Sequence, residues 1–159
     1  MPRHHNQSSS TLSAPNFELQ SWPFYWITQT AGRYVATIEK ALEDIELDLP
    51  RWRVLMLLDS ERGHGVSYLA REAIVKLSTM TRLVQRMEEE GLIVTGASNT
   101  DARVTEVRLT ANGRRARQLA WQQAQELYRE VFAARTLQEI ESLNAMLRDV
   151  MVNLDRLQP

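Results

Sequence analysis

At Gly91 the apolar periodicity of this chain changes, and that change restricts its fold more than any other feature. Over residues 76–93 (KLSTMTRLVQRMEEEGLI) a rotation of about 100° per residue puts Leu77, Met80, Leu83, Val84 and Met87 on one side. Ser78, Thr79, Arg82, Gln85 and Arg86 fall on the other. Beyond Gly91 the spacing becomes strand-like, first in 92–95 and then in 104–109, where Val107 and Leu109 point one way and Glu106 and Arg108 the other. Residues 96–102 between them are small and polar, as a hairpin tip requires. The spacing therefore predicts a helix that ends at Gly91 and feeds directly into a β-hairpin. The helix has one core side. Its other side carries hydroxyls, an amide and guanidinium groups, a set that can bond phosphates and also base edges.

Upstream, Asp48-Leu49-Pro50 precedes a helix over 51–58 (RWRVLMLL), closed by a turn around Gly63 and Gly65 in which His64 is expected as a turn residue. Ser67 is then expected to cap a short helix through about Ala73, with Leu69, Ala70 and Ala73 facing inward. A longer helix is expected from Ser21-Trp22-Pro23 to about Glu46, with Ser21 as a capping residue and Pro23 in the first turn. Its stripe of Phe24, Ile27, Ala31, Tyr34, Val35, Ile38, Leu42 and Ile45 must face something apolar. On the opposite side, Trp22, Trp26, Gln29 and Arg33 lie within about 60° of one another. After the hairpin, two helices are expected over 111–134 and 137–157 with a break near Arg135-Thr136. In the second, Leu137, Ile140, Leu143, Leu147, Val150, Met151, Leu154 and Leu157 hold three-or-four spacing for about five turns. An intramolecular helical hairpin or a dimer interface would each cover that surface.

Composition narrows the function classes. A chain of 159 residues with 43 % hydrophobic and 25 % charged residues reads as one soluble globular domain. It has no run approaching the ~20 apolar residues of a membrane span and no apolar leader, so no membrane partner and a cytoplasmic location are expected. The absence of cysteine excludes disulfides and thiol chemistry, and His4, His5 and His64 are too scattered for a metal site. No nucleophile with a paired base and no phosphate-cradling glycine loop stands out, so neither an enzyme nor a bound cofactor is expected. The net charge of −1 is unevenly distributed: residues 51–117 hold 12 Arg and Lys against 8 Asp and Glu, a net +4, leaving −5 elsewhere. A basic middle between acidic flanks suits a phosphate-facing module on an acidic scaffold.

Two short helices, the second amphipathic, followed by a hairpin with a basic residue near its tip, give the order of a winged helix-turn-helix. With Trp52-Arg53-Val54-Leu55, Leu69-Ala70, Ser78-Thr79-Met80-Thr81-Arg82-Leu83-Val84, Met87-Glu88-Glu89-Glu90-Gly91-Leu92, Asp101-Ala102-Arg103 and Leu109-Thr110-Ala111-Asn112-Gly113, the chain resembles the MarR family of bacterial transcription regulators. The resemblance implies a mainly α fold with a small β wing. It divides the chain into an N-terminal arm (1–20, polar and expected to be flexible), a dimerisation helix (21–48), a DNA-binding lobe (49–110) and C-terminal dimerisation helices (111–159). It also implies a homodimer on double-stranded DNA. Ser67, Ser78, Thr79, Thr81, Arg82, Gln85 and Arg86 would meet the major groove or its phosphates, and Arg103, braced by Asp101, the minor groove. The chain departs from the family pattern at Ile74, where the helix-turn-helix turn commonly has glycine, and at Thr95-Gly96, where the wing often has arginine.

The resemblance further implies a small-molecule effector between the dimerisation helices and the DNA-binding lobe, in regulators, most often repressors, of aromatic-acid degradation or efflux. The residues proposed for it are Trp22, Trp26, Gln29 and Arg33 together with Arg51 and Trp52, because arginine pairs bidentately with a carboxylate while aromatic rings cover the remainder. Aromatic side chains at a dimer interface need no ligand, so that reading stays open beside the pocket. A protein-protein adaptor built on a winged helix is the alternative function.

Overall fold

The computed structural model describes residues 18–58, 62–98 and 105–157. These fall into two units, Met1–Thr37 and Ile38–Pro159. In the first, a 3₁₀ turn over Leu19–Ser21 leads into helix α1, Pro23–Glu43, which continues into the second unit. Pro23 opens the helix as its fixed φ favours. Ser21 does not cap it: the hydroxyl donates to the Glu18 carbonyl at 2.8 Å, and Trp22 behind it is extended. The indole N–H of Trp26 donates to the Gln20 carbonyl at 2.8 Å and so holds the entering chain against the first helical turn. Within this unit Phe24, Ile27 and Val35 of the expected stripe are half-buried, while Tyr34 remains exposed.

The second unit carries the main core. The last turns of α1 bury Ile38 and Leu42 completely. Helix α2, Leu49–Leu57, starts where Asp48 accepts a hydrogen bond from the Arg51 amide at 2.9 Å, with Pro50 in the first turn. Then follow β1 (His64–Gly65), α3 (Val66–Glu72), α4 (Leu77–Glu89), β2 (Ile93–Ala97), β3 (Thr105–Leu109), α5 (Ala111–Val131) and α6 (Leu137–Asp155). Thr110 caps α5, and Thr136 with Glu139 forms a capping box on α6, which places the break at Arg135-Thr136 where the sequence puts it. The sheet is antiparallel in the order β1-β3-β2, with Thr95 opposite Val107 and Ile93 opposite Leu109. Helix α3 packs on α4, α4 on β2 and α2 on α5. Val54, Leu55, Leu58, Leu69, Met80, Met87, Ile93 and Val107 close the core between them.

Three expectations are corrected. His64 is a strand residue rather than a turn residue: it pairs with Val107 and stacks on Tyr68 at 4.6 Å between ring centroids. Ser67 lies inside α3, one residue past its start, and the N-cap position belongs to Gly65. Leu77 shares the helical stripe of Met80, Val84 and Met87 but is 53 % exposed, whereas those three are covered.

Three helix ends in this unit use a left-handed residue: Glu46, Ile74 and Gly91, with φ of +57°, +56° and +70°. After each, an amide reaches five residues back, Leu47 to Leu42, Val75 to Ala70 and Leu92 to Met87, at 2.9–3.1 Å. Only Gly91 adopts this conformation without a Cβ penalty. A β-branched side chain pays most, and Ile74 is 92 % exposed, so it recovers nothing by packing. Ile74→Gly is therefore expected to stabilise the fold by about 1 kcal/mol, seen as a higher urea midpoint at unchanged slope.

Helix α6 buries none of its residues; Leu143, Met146, Leu147, Met151 and Leu154 stand exposed on the single chain.

Candidate nucleic-acid interface

Helix α4 has the strongest division between its two sides. Met80, Val84 and Met87 are buried, and Ser78, Thr79, Thr81, Arg82, Gln85 and Arg86 are exposed. Arg82 pairs with no carboxylate among the described residues, and Gln85 is exposed. The Thr81 hydroxyl donates to the Leu77 carbonyl one turn back at 2.9 Å, so its polar atom is turned onto its own helix. An open groove of about 500 Å³ runs along this face, lined by Val66, Ser67, Leu77, Thr81, Val84, Gln85, Glu88, Thr95 and Thr105. Ser67 of α3 is thus brought to the same groove as Thr81 and Gln85, which stand one turn apart on α4.

The wing is fastened to α4 by Glu88. Its carboxylate accepts from both the amide and the hydroxyl of Thr95, at 2.7 and 2.8 Å, and these hydrogen bonds hold its pKa below the ordinary range. On the outer side of the hairpin, Glu106 accepts from Ser98 and Arg108, at 2.6 and 2.7 Å, which likewise lowers its pKa. The first tie joins the middle of β2 to α4, and the second joins β3 to Ser98, just past the end of β2. Asp101 and Arg103, expected at the wing tip, lie outside the described residues.

Arg86 and Arg51 belong to a ring of four charges. Arg86 meets Asp48 at 2.9 Å and Glu90 at 3.0 Å; Arg51 meets Glu90 at 2.9 Å and Asp48 at 3.2 Å. Arg51 also donates to the Glu46 carbonyl at 3.1 Å. Burial alone would raise the pKa of Asp48 and of Glu90, but the hydrogen bonds and charges of the two arginines outweigh it and hold both carboxyls below their usual range. The ring ties the last turn of α4 to the start of α2. Asp48 was legible as the residue before a Leu-Pro helix start; its pairing with Arg86, 38 residues away, has no local signature.

Of the six residues expected to hold a ligand, Trp22, Trp26, Gln29 and Arg33 belong to the first unit and Arg51 and Trp52 to the second, where these two line different cavities. Arg51 sits with Ile45, Glu46, Leu47, Glu90, Leu92, Ala116 and Leu119 around a cavity of about 280 Å³. Trp52, one residue on, lines a different cavity of about 440 Å³ with Arg53, Met56, Leu57, Glu72, Ala73 and Ile74. Successive helical residues point about 100° apart, which is why these neighbours separate. In the first unit Trp22 and Trp26 are 50 % and 53 % exposed, and Arg33 donates to Gln29 one turn earlier.

A helix pair, an exposed polar reading helix and a small wing are the parts of a winged helix-turn-helix. The family model described as MarR family matches residues 47–105. The HTH-type transcriptional repressor IacR of Pseudomonas putida is 38 % identical over 154 residues, which cover 97 % of this chain and 89 % of that repressor. This chain belongs to the MarR family. The homoprotocatechuate degradative operon repressor of Escherichia coli is 26 % identical over 99 residues, 62 % of this chain and 67 % of that one. A MarR-family regulator from Silicibacter pomeroyi has the same fold, with a TM-score of 0.76 at 25 % identity, covering 86 % of this chain and 92 % of that structure. As a MarR-family protein the chain is a transcription regulator and not an enzyme. No helix among the described residues is long and apolar enough to cross a membrane.

Proposed function

We propose that this MarR-family regulator is a repressor that binds a pseudo-palindromic operator as a homodimer and is released by a small aromatic carboxylate. The DNA reading rests above all on the exposed polar side of α4, where Ser78, Thr79, Arg82 and Gln85 stand free of the core. Such a helix lies in the major groove with its N-terminal residues on base edges, and half-sites of a dimer then fall about 10 base pairs apart. The 49–110 segment is the reading lobe. The exposed apolar row of α6 supports assigning 111–159 to dimerisation, with 21–48 as the second contributor, because an uncovered face of that length calls for a partner.

Similarity to repressors, one of them named for an aromatic-acid operon, supports the effector class. Arg51 is the favoured carboxylate partner, in a cavity whose other walls are largely apolar. Because Arg51 already holds two carboxylates, a ligand must exchange with one of them. Asp48 is also fixed by the Arg51 amide, so Glu90 is the one to leave, and its departure removes a partner from Arg86 on α4. This connects the cavity to the reading helix.

The test is a screen of aromatic acids against operator binding and tryptophan emission. An effector is expected to cost at least tenfold in DNA affinity at saturation, which requires about 1.4 kcal/mol of preference for the released form. Its neutral amide should be inert. Arg51→Lys, which keeps the charge but loses the planar fork, should blunt the response and spare effector-free DNA binding. If no aromatic acid alters DNA affinity or emission at millimolar concentration, the effector reading fails while the DNA reading stands.

A further inference from the structure

The groove beside α4 carries apolar side chains at its Leu77 end, and Leu77 and Val66 there are absent from the buried core. Leu77, the first residue of α4, is 53 % exposed. Val66, at the start of α3, lines the same groove. Thr81 stands one turn beyond Leu77 on α4. Because its hydroxyl is engaged by the Leu77 carbonyl at 2.9 Å, its methyl is the part left for the groove. Three apolar groups therefore line a groove whose other exposed members, Ser67, Gln85, Glu88 and Thr105, are polar. A leucine there is costly to leave in water, and a serine or lysine would serve phosphate binding better.

The edge of a base pair in the major groove offers one apolar feature, the 5-methyl group of thymine. We infer that Leu77, with Val66 and the methyl of Thr81, receives a thymine methyl and selects T·A at one step of each half-site. Gln85 lies one turn further along α4, where its amide can meet an adenine edge bidentately. The groove thus reads by shape and hydrophobicity at Leu77 and by hydrogen bonds at Gln85. The inference rests on the DNA reading above and adds to it the base that this end of the helix prefers.

The experiment starts with a duplex enriched from a random-sequence pool by the full-length protein. Each thymine is then replaced singly by deoxyuridine, which removes only the methyl and leaves pairing and O4 intact. One thymine position per half-site is expected to lose about fourfold in affinity, the equivalent of about 0.8 kcal/mol for one buried methyl. With Leu77→Ala the same replacement should become neutral, and the salt dependence of binding should not change, since no phosphate contact is lost. Insensitivity to deoxyuridine at every position overturns the inference. So does an enriched site without thymine, or a Leu77→Ala protein that is as methyl-sensitive as the wild type. If no duplex is enriched at all, the DNA reading itself fails, and this inference with it.

Discussion

Gly113→Ala is expected to destabilise the reading lobe by about 3 kcal/mol or more. A Cβ at Gly113 would stand 1.9 Å from the carbonyl oxygen of Leu92 and 2.9 Å from its carbonyl carbon, both backbone atoms that cannot rotate away. The site is crowded because α5 is docked onto the turn that ends α4. Thr110 donates from its hydroxyl to Gly91 O at 2.7 Å and from its amide to Leu92 O at 3.1 Å, and then caps Gly113 N at 3.0 Å. An alanine would push the start of α5 off Leu92 and break that set of bonds. Thermal unfolding should show a loss of roughly 10 °C for a chain of this size. Gly32, which has nothing within 4 Å of its would-be Cβ, supplies the control. Gly32→Ala in the body of α1 should stabilise by about 0.5–1 kcal/mol, as for glycine in any open helix. A Gly113→Ala protein as stable as the wild type would contradict the docking described here.

What the sequence made legible followed from periodicity and caps. The change at Gly91 located the end of α4 and the start of the wing because glycine there is also the residue in left-handed conformation. The alternation of Glu106 to Leu109 correctly assigned inside and outside, with Val107 and Leu109 buried. Periodicity failed at the first residue of α4: Leu77 shares the core stripe but is left about half exposed. It also failed at β1, two residues long and too short to show any alternation. Long-range ion pairs were invisible for a different reason. Arg51 and Arg86 read as free cations available to a ligand and to DNA, yet their carboxylate partners, Asp48 and Glu90, are chosen by how α2 meets the end of α4 and not by spacing along the chain. Ile74 shows the reverse case, since its departure from the family's glycine was plain in sequence and its strained φ follows from it.

The second large effect concerns Arg82. It is exposed at the middle of α4 and pairs with no carboxylate among the described residues, so it would meet DNA without first leaving an ion pair to any of them. That sets it apart from Arg86, whose guanidinium would have to leave Asp48 and Glu90. A bidentate arginine on guanine contributes about 1–3 kcal/mol of discrimination, whereas an arginine on phosphate strengthens binding to every sequence alike. Arg82→Ala should therefore weaken binding to the operator by tenfold or more while changing affinity for unrelated duplex much less. The lobe itself should remain as stable as the wild type, because the exposed side chain being removed makes no ion pair among the described residues. The decisive measurement is the ratio of affinities for the enriched duplex and a scrambled one, taken by fluorescence anisotropy at one moderate salt concentration for wild type and Arg82→Ala. A ratio that collapses by about tenfold or more in the variant is the predicted result; an unchanged ratio would mean that the polar side of α4 does not read the operator.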